Sequence, residues 1–440
     1  MEYLESENEV GLYIPEECIC PLLWRSVLDP AAVVQLARDS QASAPGRSAA
    51  LIALAISDVS AHKDLFLHMA AEADNPTLRG YAIRMLGFSN DTTVVPMLVT
   101  ELGSTPHLFV AEQAAEALSR LGARETASAI EQTVLRFASQ ELSPALIEAM
   151  AELGQLSSLP ILLELLPRFR FGHFRHELIE ALGFFWPDPR AQNGVMEQLR
   201  IWRGGNYDSG DQQPAIRALA YADPDALVQH AIRLYGAGRL DRSARSELTR
   251  HVSGIVTKCS RNSDVLGLLR LLATDSYLPV REELGQRLGR LDPSVCQTLY
   301  EEMSGAASPW ERACAVHMLG FWDSDPGSIE SARFAPEFVV RYAGDVAAKA
   351  RSRRLALQSL VERYNVSDGV GRVAAYLALQ EQGDEQSVWL LDEKVHEDST
   401  PHIFLRQLAG DIQNKIRDQR RERAREEEEL LKDAGTVRFD

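Results

Sequence analysis

Apolar and small residues recur along this chain in a helical pattern with a period of about 32 residues. The successive anchors of the pattern are Arg47, Arg79, Ala111, Ser143 and Arg175. Three positions after the anchors stand Ala50, Ala82, Ala114, Leu146 and Leu178, and seven positions after them stand Leu54, Leu86, Leu118, Met150 and Leu182. Because these positions share one face of a helix, the pattern predicts one buried helix in each repeat.

A second amphipathic segment lies between successive anchored helices, as in "VVPMLVTEL" at 94–102 and "LPILLELL" at 159–166. Each repeat is therefore predicted to be a helical hairpin. The anchored pattern resumes at Gln212, is less clean at Arg245, and is sharp again at Arg281 and Arg312. Since one hairpin cannot bury both of its apolar sides, the hairpins must stack, which predicts an all-α fold, an α-solenoid of stacked helical hairpins.

The position after the last buried residue of each anchored helix is small, for example Gly87 and Gly183. A small residue there lets a neighbouring backbone approach closely. The predicted domains are an N-terminal cap at 1–30, the repeat solenoid at 31–400, and a charged C-terminal helix or tail at 401–440 that contains the run Glu426 to Glu429.

The block "DNPTLRGYAIRMLG" at 74–87 resembles a HEAT repeat: it has an acidic turn, an arginine at the start of the second helix and a closing Leu-Gly. The period is shorter than that of typical HEAT units and is closer to the HEAT-like repeats of phycobilisome lyases. The resemblance implies first helices on the convex side and anchored helices on the concave side. It also implies that the anchor arginines, such as Arg79, Arg175, Arg281 and Arg312, have a structural role in binding acidic turn residues.

The charge and composition of the chain argue against some classes of partner and location. The chain has 46 Lys and Arg against 63 Asp and Glu, a net charge of −17, which repels nucleic acid and anionic membranes. The N-terminus lacks a secretory signal and no window is apolar enough to span a membrane, so a cytoplasmic location without membrane insertion is predicted. The 5 cysteines form no disulfide framework, and Cys18-x-Cys20 has no further ligands nearby in the sequence.

The pair His176-Glu177 raises the question of a metal site. The stretch "RHELIEALG" resembles the His-Glu motifs of deoxyhypusine hydroxylase, a HEAT-like di-iron enzyme. No other repeat has a His-Glu pair at this position, and a metal enzyme needs several converging ligands. We therefore predict no metal, no cofactor and no catalytic residues, which favours a protein that is not an enzyme.

Two connecting segments are candidates for a binding edge. "RFRFGHFRH" at 168–176 interleaves arginine with phenylalanine, and "WRGGNYDSGD" at 202–211 is an insertion. The candidate edge residues are Arg170, Phe171, His173, Phe174, Trp202 and Tyr207. Exposed aromatic residues beside arginine are typical of binding hot spots, and the alternative is that the phenylalanines fill the core between repeats.

A row of carboxylates is the other candidate. Five positions after three successive anchors stand Glu116, Glu148 and Glu180, and Glu112, Glu152 and Glu177 lie beside them. Stacking would align them along the groove of anchored helices, where they could receive a basic or extended segment of a protein partner. The alternative is that glutamate is only a good helix former on an exposed face.

These observations predict a non-catalytic protein-binding scaffold or adaptor that uses the groove and the edge. A cofactor or chromophore lyase of the HEAT-like type, or a subunit of one, is the leading alternative. A HEAT-like DNA-repair enzyme comes second, and the acidity of the chain counts against it.

Overall fold

The computed structural model describes residues 29–366, except 74, 139–142, 170–172, 201–211 and 323–325. All regular elements in these ranges are helices, which confirms the predicted all-α class. The described chain divides after Phe185 into two compact units, unit 1 up to Phe185 and unit 2 from Trp186 to Glu362. The segments 1–28 and 367–440 lie outside the described residues, so the cap at 1–30 and the tail at 401–440 stay predictions.

The described residues of unit 1 form ten α-helices and two short 3-10 turns. The helices are α1 (Pro30–Arg38), α2 (Ala44–Asp58), α3 (Lys63–Glu72), α4 (Pro76–Leu86), α5 (Val95–Ser104), α6 (Leu108–Arg120), α7 (Ala127–Phe137), α8 (Pro144–Glu152), α9 (Ser158–Leu165) and α10 (His173–Gly183). The 3-10 turns, Thr92–Val94 and Arg124–Thr126, lead into α5 and α7.

Unit 2 follows the same hairpin plan, with one extra short helix. Its helices are α11 (Pro189–Arg200), α12 (Gln212–Ala222), α13 (Pro224–Gly236), α14 (Arg242–Arg250), α15 (Val252–Lys258), α16 (Asn262–Ala273), α17 (Leu278–Leu288), α18 (Pro293–Ser304), α19 (Pro309–Leu319), α20 (Pro326–Arg333) and α21 (Phe338–Val366).

The hairpins of each unit stack in two layers. In unit 1 the anchored helices α2, α4, α6, α8 and α10 pack one against the next, and α5, α7 and α9 do the same beside them. In unit 2 the anchored helices α12, α14, α17 and α19 form the corresponding row. We call each row of anchored helices the second-helix layer of its unit.

The predicted buried stripe is confirmed in the first unit. The residues three and seven positions after each anchor, from Ala50 to Leu182, are all completely buried (0% exposed). Gly87, at the position after the stripe, explains the small residue there: a Cβ added to it would lie 2.7 Å from the Cα of Ala117 in α6. The neighbouring helix therefore packs directly on the glycine backbone.

Local sequence sets where the helices begin and end. Asp29, Ser43, Asn75, Ser143 and Asp241 cap helix N-termini by accepting a backbone N–H on their side-chain oxygens. Proline follows in the first turn of many helices, where its missing N–H costs nothing. Gly122, Gly154 and Gly238 adopt positive φ just after helix ends, the conformation that glycine accepts most readily.

The anchor arginines connect the two helices of a hairpin through backbone carbonyls. Nη1 of Arg175 donates to the carbonyls of Leu166 and Phe169, Nη1 of Arg245 to that of Leu240, Nη1 of Arg281 to that of Asp275, and Nη1 of Arg312 to those of Ala306 and Ala307. Arg341, which follows the last anchor in α21, makes the same kind of contact with Ala335 and Pro336. These carbonyls stand at or just beyond the end of the preceding helix, where no intrahelical donor remains. The expected pairing with an acidic turn residue is present from Arg312 to Glu337. Arg79 instead pairs with Glu101, which lies inside α5.

Long apolar helices are absent from the described ranges. None of the helices there has the length and hydropathy needed to cross a bilayer.

Candidate functional site

The repeat position that holds the predicted row of carboxylates is occupied by an arginine in the repeat before that row. Position five after the anchor is Arg84 in α4, Glu116 in α6, Glu148 in α8 and Glu180 in α10. These four helices are consecutive members of the second-helix layer and pack in that order. Neighbouring positions are therefore roughly 8–10 Å apart, the usual distance between packed helices.

Glu116 is held between two guanidinium groups. Its Oε1 lies 3.3 Å from Arg84 Nη2, in the preceding repeat, and 2.5 Å from Arg120 Nη2, one turn along α6. The Arg120 guanidinium also stacks over the ring of Phe88, 4.1 Å from its centroid. The negative charge of Glu116 is thus balanced inside the layer, so Glu116 adds little to the field outside it.

The acidic surface of unit 1 lies further along the layer. Glu148 and Glu152 are exposed on α8, while Glu112 on α6 and Glu177 and Glu180 on α10 are half-buried. Glu152 accepts a hydrogen bond from the hydroxyl of Ser119 in α6. The helices α8 and α10 therefore present most of the carboxylate charge that the sequence pattern predicted for α6, α8 and α10 together.

Little of the predicted edge falls within the described residues. Arg170, Phe171, Trp202 and Tyr207 lie outside them. His173 begins α10, and Phe174 is half-buried with its ring edge-on to Phe169 at a centroid distance of 5.8 Å. The contact between Phe174 and Phe169 is of the core-filling kind that we gave as the alternative for these phenylalanines, and the edge as a whole stays a prediction.

His176 and Glu177 are both half-buried in the first turns of α10. Within the described residues, no three His, Cys, Asp or Glu side chains come together in a group that could hold a metal ion. Their neighbour Arg175, the anchor of this repeat, is buried and bound to carbonyls at the end of α9.

A second charged cluster, which we did not predict, lies on the second-helix layer of unit 2. Glu247 in α14 is buried, and three cationic or basic groups surround its carboxylate: Arg217 Nη1 at 3.5 Å, Arg250 Nη1 at 2.9 Å and His251 Nε2 at 3.1 Å. Arg217 and Arg250 occupy position five after their anchors, as Arg84 does in unit 1. The repeat register thus contained a signal for this cluster.

Burial raises the pKa of Glu247, but the surrounding groups outweigh it. The hydrogen bond from His251 and the charges of Arg250 and Arg217 bring the pKa down to about 2. Glu247 is therefore ionised at neutral pH although its side chain is enclosed. The arginines around it remain partly exposed, so the surface above Glu247 is positive.

Two layers of stacked hairpins, with the anchored helices in one layer, are the architecture of an α-solenoid. Residues 63–136 match the HEAT repeats family. This part of the chain therefore contains HEAT repeats, as the sequence pattern indicated. Among curated proteins, none matches the sequence.

Three solved structures are similar to this chain at low sequence identity. The phycocyanin lyase complex of CpcE and CpcF from Nostoc sp. PCC7120 is 17% identical, with 62% of this chain and 97% of that chain covered and a TM-score of 0.39. Human deoxyhypusine hydroxylase is 17% identical, with coverages of 76% and 98% and a TM-score of 0.22. Kap121p bound to Nup53p is 11% identical, with coverages of 92% and 54% and a TM-score of 0.33. Similarity at this level carries no conclusion about function.

Proposed function

We propose that the protein is a non-catalytic scaffold that binds a basic, extended segment of a protein partner on the second-helix layer of unit 1. The observation that supports it is the alignment of Glu148 and Glu180 on packed neighbouring helices, with the exposed Glu152 on the same helix as Glu148. A row of carboxylates on neighbouring helices is complementary to a row of cationic groups on a ligand.

The geometry also indicates the spacing of the partner's charges. An extended chain advances about 3.3 Å per residue, so crossing from α8 to α10 takes roughly three residues. A segment with lysine or arginine at every third position would place one cation over each helix. Glu112 and Glu177 flank this path, while Arg84 and Arg120, which already balance Glu116, limit it on the α4 side.

Binding of synthetic peptides tests the proposal. The probe is a dye-labelled nine-residue peptide with lysine at every third position and Gly or Ser elsewhere, and the comparison peptide has the three lysines adjacent. The test variant is Glu148→Lys with Glu152→Lys. Its matched control is Glu125→Lys with Glu164→Lys, which makes the same change of net charge at exposed positions outside the second-helix layer.

We expect the spaced peptide to bind more tightly than the clustered one, with an affinity that falls as salt rises. Binding should drop at least about tenfold in the test variant, and by much less in the control, because only the test variant removes charges from the contact surface. Equal losses in the two variants would mean that the peptide responds to net charge alone, and the site would be abandoned.

A further inference from the structure

Unit 2 contains an open cavity of about 230 Å³ beside the start of α14. Tyr235, Arg245, Thr274, Asp275 and Ser276 contribute to its wall. The cavity lies between the end of one hairpin and the turn of the next. It belongs to unit 2, whereas the proposed function rests on the second-helix layer of unit 1. Its volume is enough for a carboxylate-bearing side chain or a small organic acid.

Asp275 contacts several groups of this wall, and both of its carboxylate oxygens have partners. The buried carboxylate accepts the hydroxyl of Tyr235 at 2.5 Å and the backbone N–H of Tyr277 at 2.8 Å, and Arg245 Nε lies 2.8 Å from its Oδ2. Burial and the neighbouring carboxylate raise the pKa of Tyr235, so its phenol keeps the proton that it donates. Asp275 is therefore a support for Arg245 rather than an acceptor for a ligand.

Arg245 is fixed on two sides. Its Nη1 donates to the carbonyl of Leu240 at 2.9 Å, and its Nε faces Asp275. Its Nη2 has no partner among the described residues. A guanidinium held in this way loses little freedom when a ligand binds, which favours recognition of a planar anion.

Two other anchor arginines show what can occupy that nitrogen. Arg312 donates from Nη1 to the carbonyl of Ala306, as Arg245 does to Leu240, but its Nη2 lies 2.7 Å from the carboxylate of Glu337. Arg79 pairs its Nη2 with Glu101 in the same way. Among the described residues, the carboxylate that pairs with Arg245 is that of Asp275, and it lies on the Nε side.

We propose that the cavity binds a carboxylate group, which occupies on Arg245 Nη2 the place that Glu337 occupies on Arg312. The exposed hydroxyl of Ser276 is a second donor in the wall, and Arg242, stacked 4.4 Å over the ring of Tyr277, adds positive charge nearby. Asp275 offsets one of these charges, so a singly charged carboxylate matches the site better than a doubly charged phosphate. The carboxylate belongs to an acidic side chain of a peptide or to a free organic acid.

The test uses the whole protein and three variants. Ser276→Phe fills the cavity at an exposed position and leaves Arg245 in place. Arg245→Gln removes the guanidinium, and Arg312→Gln is its matched control, because it breaks the same kind of carbonyl contact where the Nη2 partner is internal. The probes are a dye-labelled peptide of four glutamates, the same peptide with glutamines, and succinate as an unlabelled competitor.

We expect saturable binding of the glutamate peptide and none of the glutamine peptide. Affinity should fall at least about tenfold in Ser276→Phe and Arg245→Gln, the scale of one charge-assisted hydrogen-bonded contact, and stay near wild type in Arg312→Gln. Competition by succinate identifies a free organic acid as sufficient, whereas binding that only the peptide shows identifies a chain-borne carboxylate. Unchanged binding in Ser276→Phe, or no binding of either acidic probe to the wild type, overturns the proposal. Neither result depends on Glu148 or Glu152, so this test and that of the scaffold proposal fail separately.

Discussion

The second-helix layers of the two units each hold a carboxylate between two arginines, but at different depths. In unit 1 the side chain of Glu116 is 22% exposed, about as much as those of its partners Arg84 and Arg120. In unit 2 the side chain of Glu247 is 3% exposed, while those of Arg217 and Arg250 are 30% and 44% exposed. Each cluster thus has two guanidinium groups against one carboxylate. In unit 1 all three groups are similarly exposed, whereas in unit 2 the arginines reach the surface and the carboxylate does not.

Depth also decides how strongly the fold depends on each cluster. A carboxylate removed from water relies on its partners to replace hydration, whereas one that is partly exposed, as Glu116 is, keeps some of its water. The two clusters are thus a natural comparison of one motif in two environments, and four experiments probe it, from the largest expected effect to the smallest.

Removing the central carboxylate should give the largest difference in stability between the two clusters. Glu247→Ala leaves Arg217, Arg250 and His251 around an uncompensated space, and we expect a loss of about 3 kcal/mol in the free energy of unfolding. Glu116→Ala should cost about 1 kcal/mol, since Arg84 and Arg120 remain partly solvated and Arg120 keeps its stacking on Phe88. Hydrogen exchange resolved by segment measures each unit by itself. Equal losses of protection would show that depth is irrelevant.

Acid should weaken unit 2 through the same residue. The pKa of Glu247 in the folded state is about 2, below the ordinary 4.5, so its contribution is present above about pH 4.5 and is lost as the pH falls towards 2. Between pH 7 and pH 3 this amounts to about 2 kcal/mol. Glu247→Gln should flatten this part of the pH dependence of thermal unfolding. The matched Glu116→Gln variant serves as control, and an acid response that persists in Glu247→Gln would contradict the assignment.

Close packing between anchored helices should be needed in both units. Gly87→Ala places a Cβ 2.7 Å from the Cα of Ala117, and Gly289→Ala pushes a Cβ against the backbone carbonyl of Met318. We expect each to cost about 1–2 kcal/mol, with Gly289→Ala the worse because a carbonyl in a packed helix cannot turn aside. Gly103, whose added Cβ would meet nothing within 4 Å, provides the control substitution Gly103→Ala. A loss at Gly103 equal to that at Gly87 would point to backbone flexibility instead of packing.

The repeat register predicted the fold well because burial follows helical periodicity directly. Residues such as Leu86 and Leu118 had to be inside for any hairpins to stack, whatever their detailed contacts. The sign of the surface charge did not follow in this way. Arg84 shares its register position with Glu116, yet only the distance between them shows that Glu116 is balanced, and Glu247 lies at position two after its anchor instead of position five. Periodicity states which side of a helix a residue occupies, whereas charge balance depends on depth and on neighbours in other repeats.

The smallest effect should come from an ion pair that resembles those of the two clusters only in its distance. Arg270 Nη2 on α16 lies 3.5 Å from Glu302 Oε2 on α18, close to the 3.3 Å between Arg84 and Glu116. The side chains of Arg270 and Glu302, however, are both about half exposed. Water solvates both charges, and ordering two long side chains costs entropy, so we expect a coupling below about 0.3 kcal/mol in a double-mutant cycle of Arg270→Ala and Glu302→Ala. The cycle of Arg84→Ala and Glu116→Ala should give about 1 kcal/mol, because those side chains are only 16% and 22% exposed. Raising the salt concentration should erase the first coupling and leave most of the second. Equal couplings at similar distances would mean that separation, not burial, governs these pairs, and the contrast drawn between Glu116 and Glu247 would then need another cause.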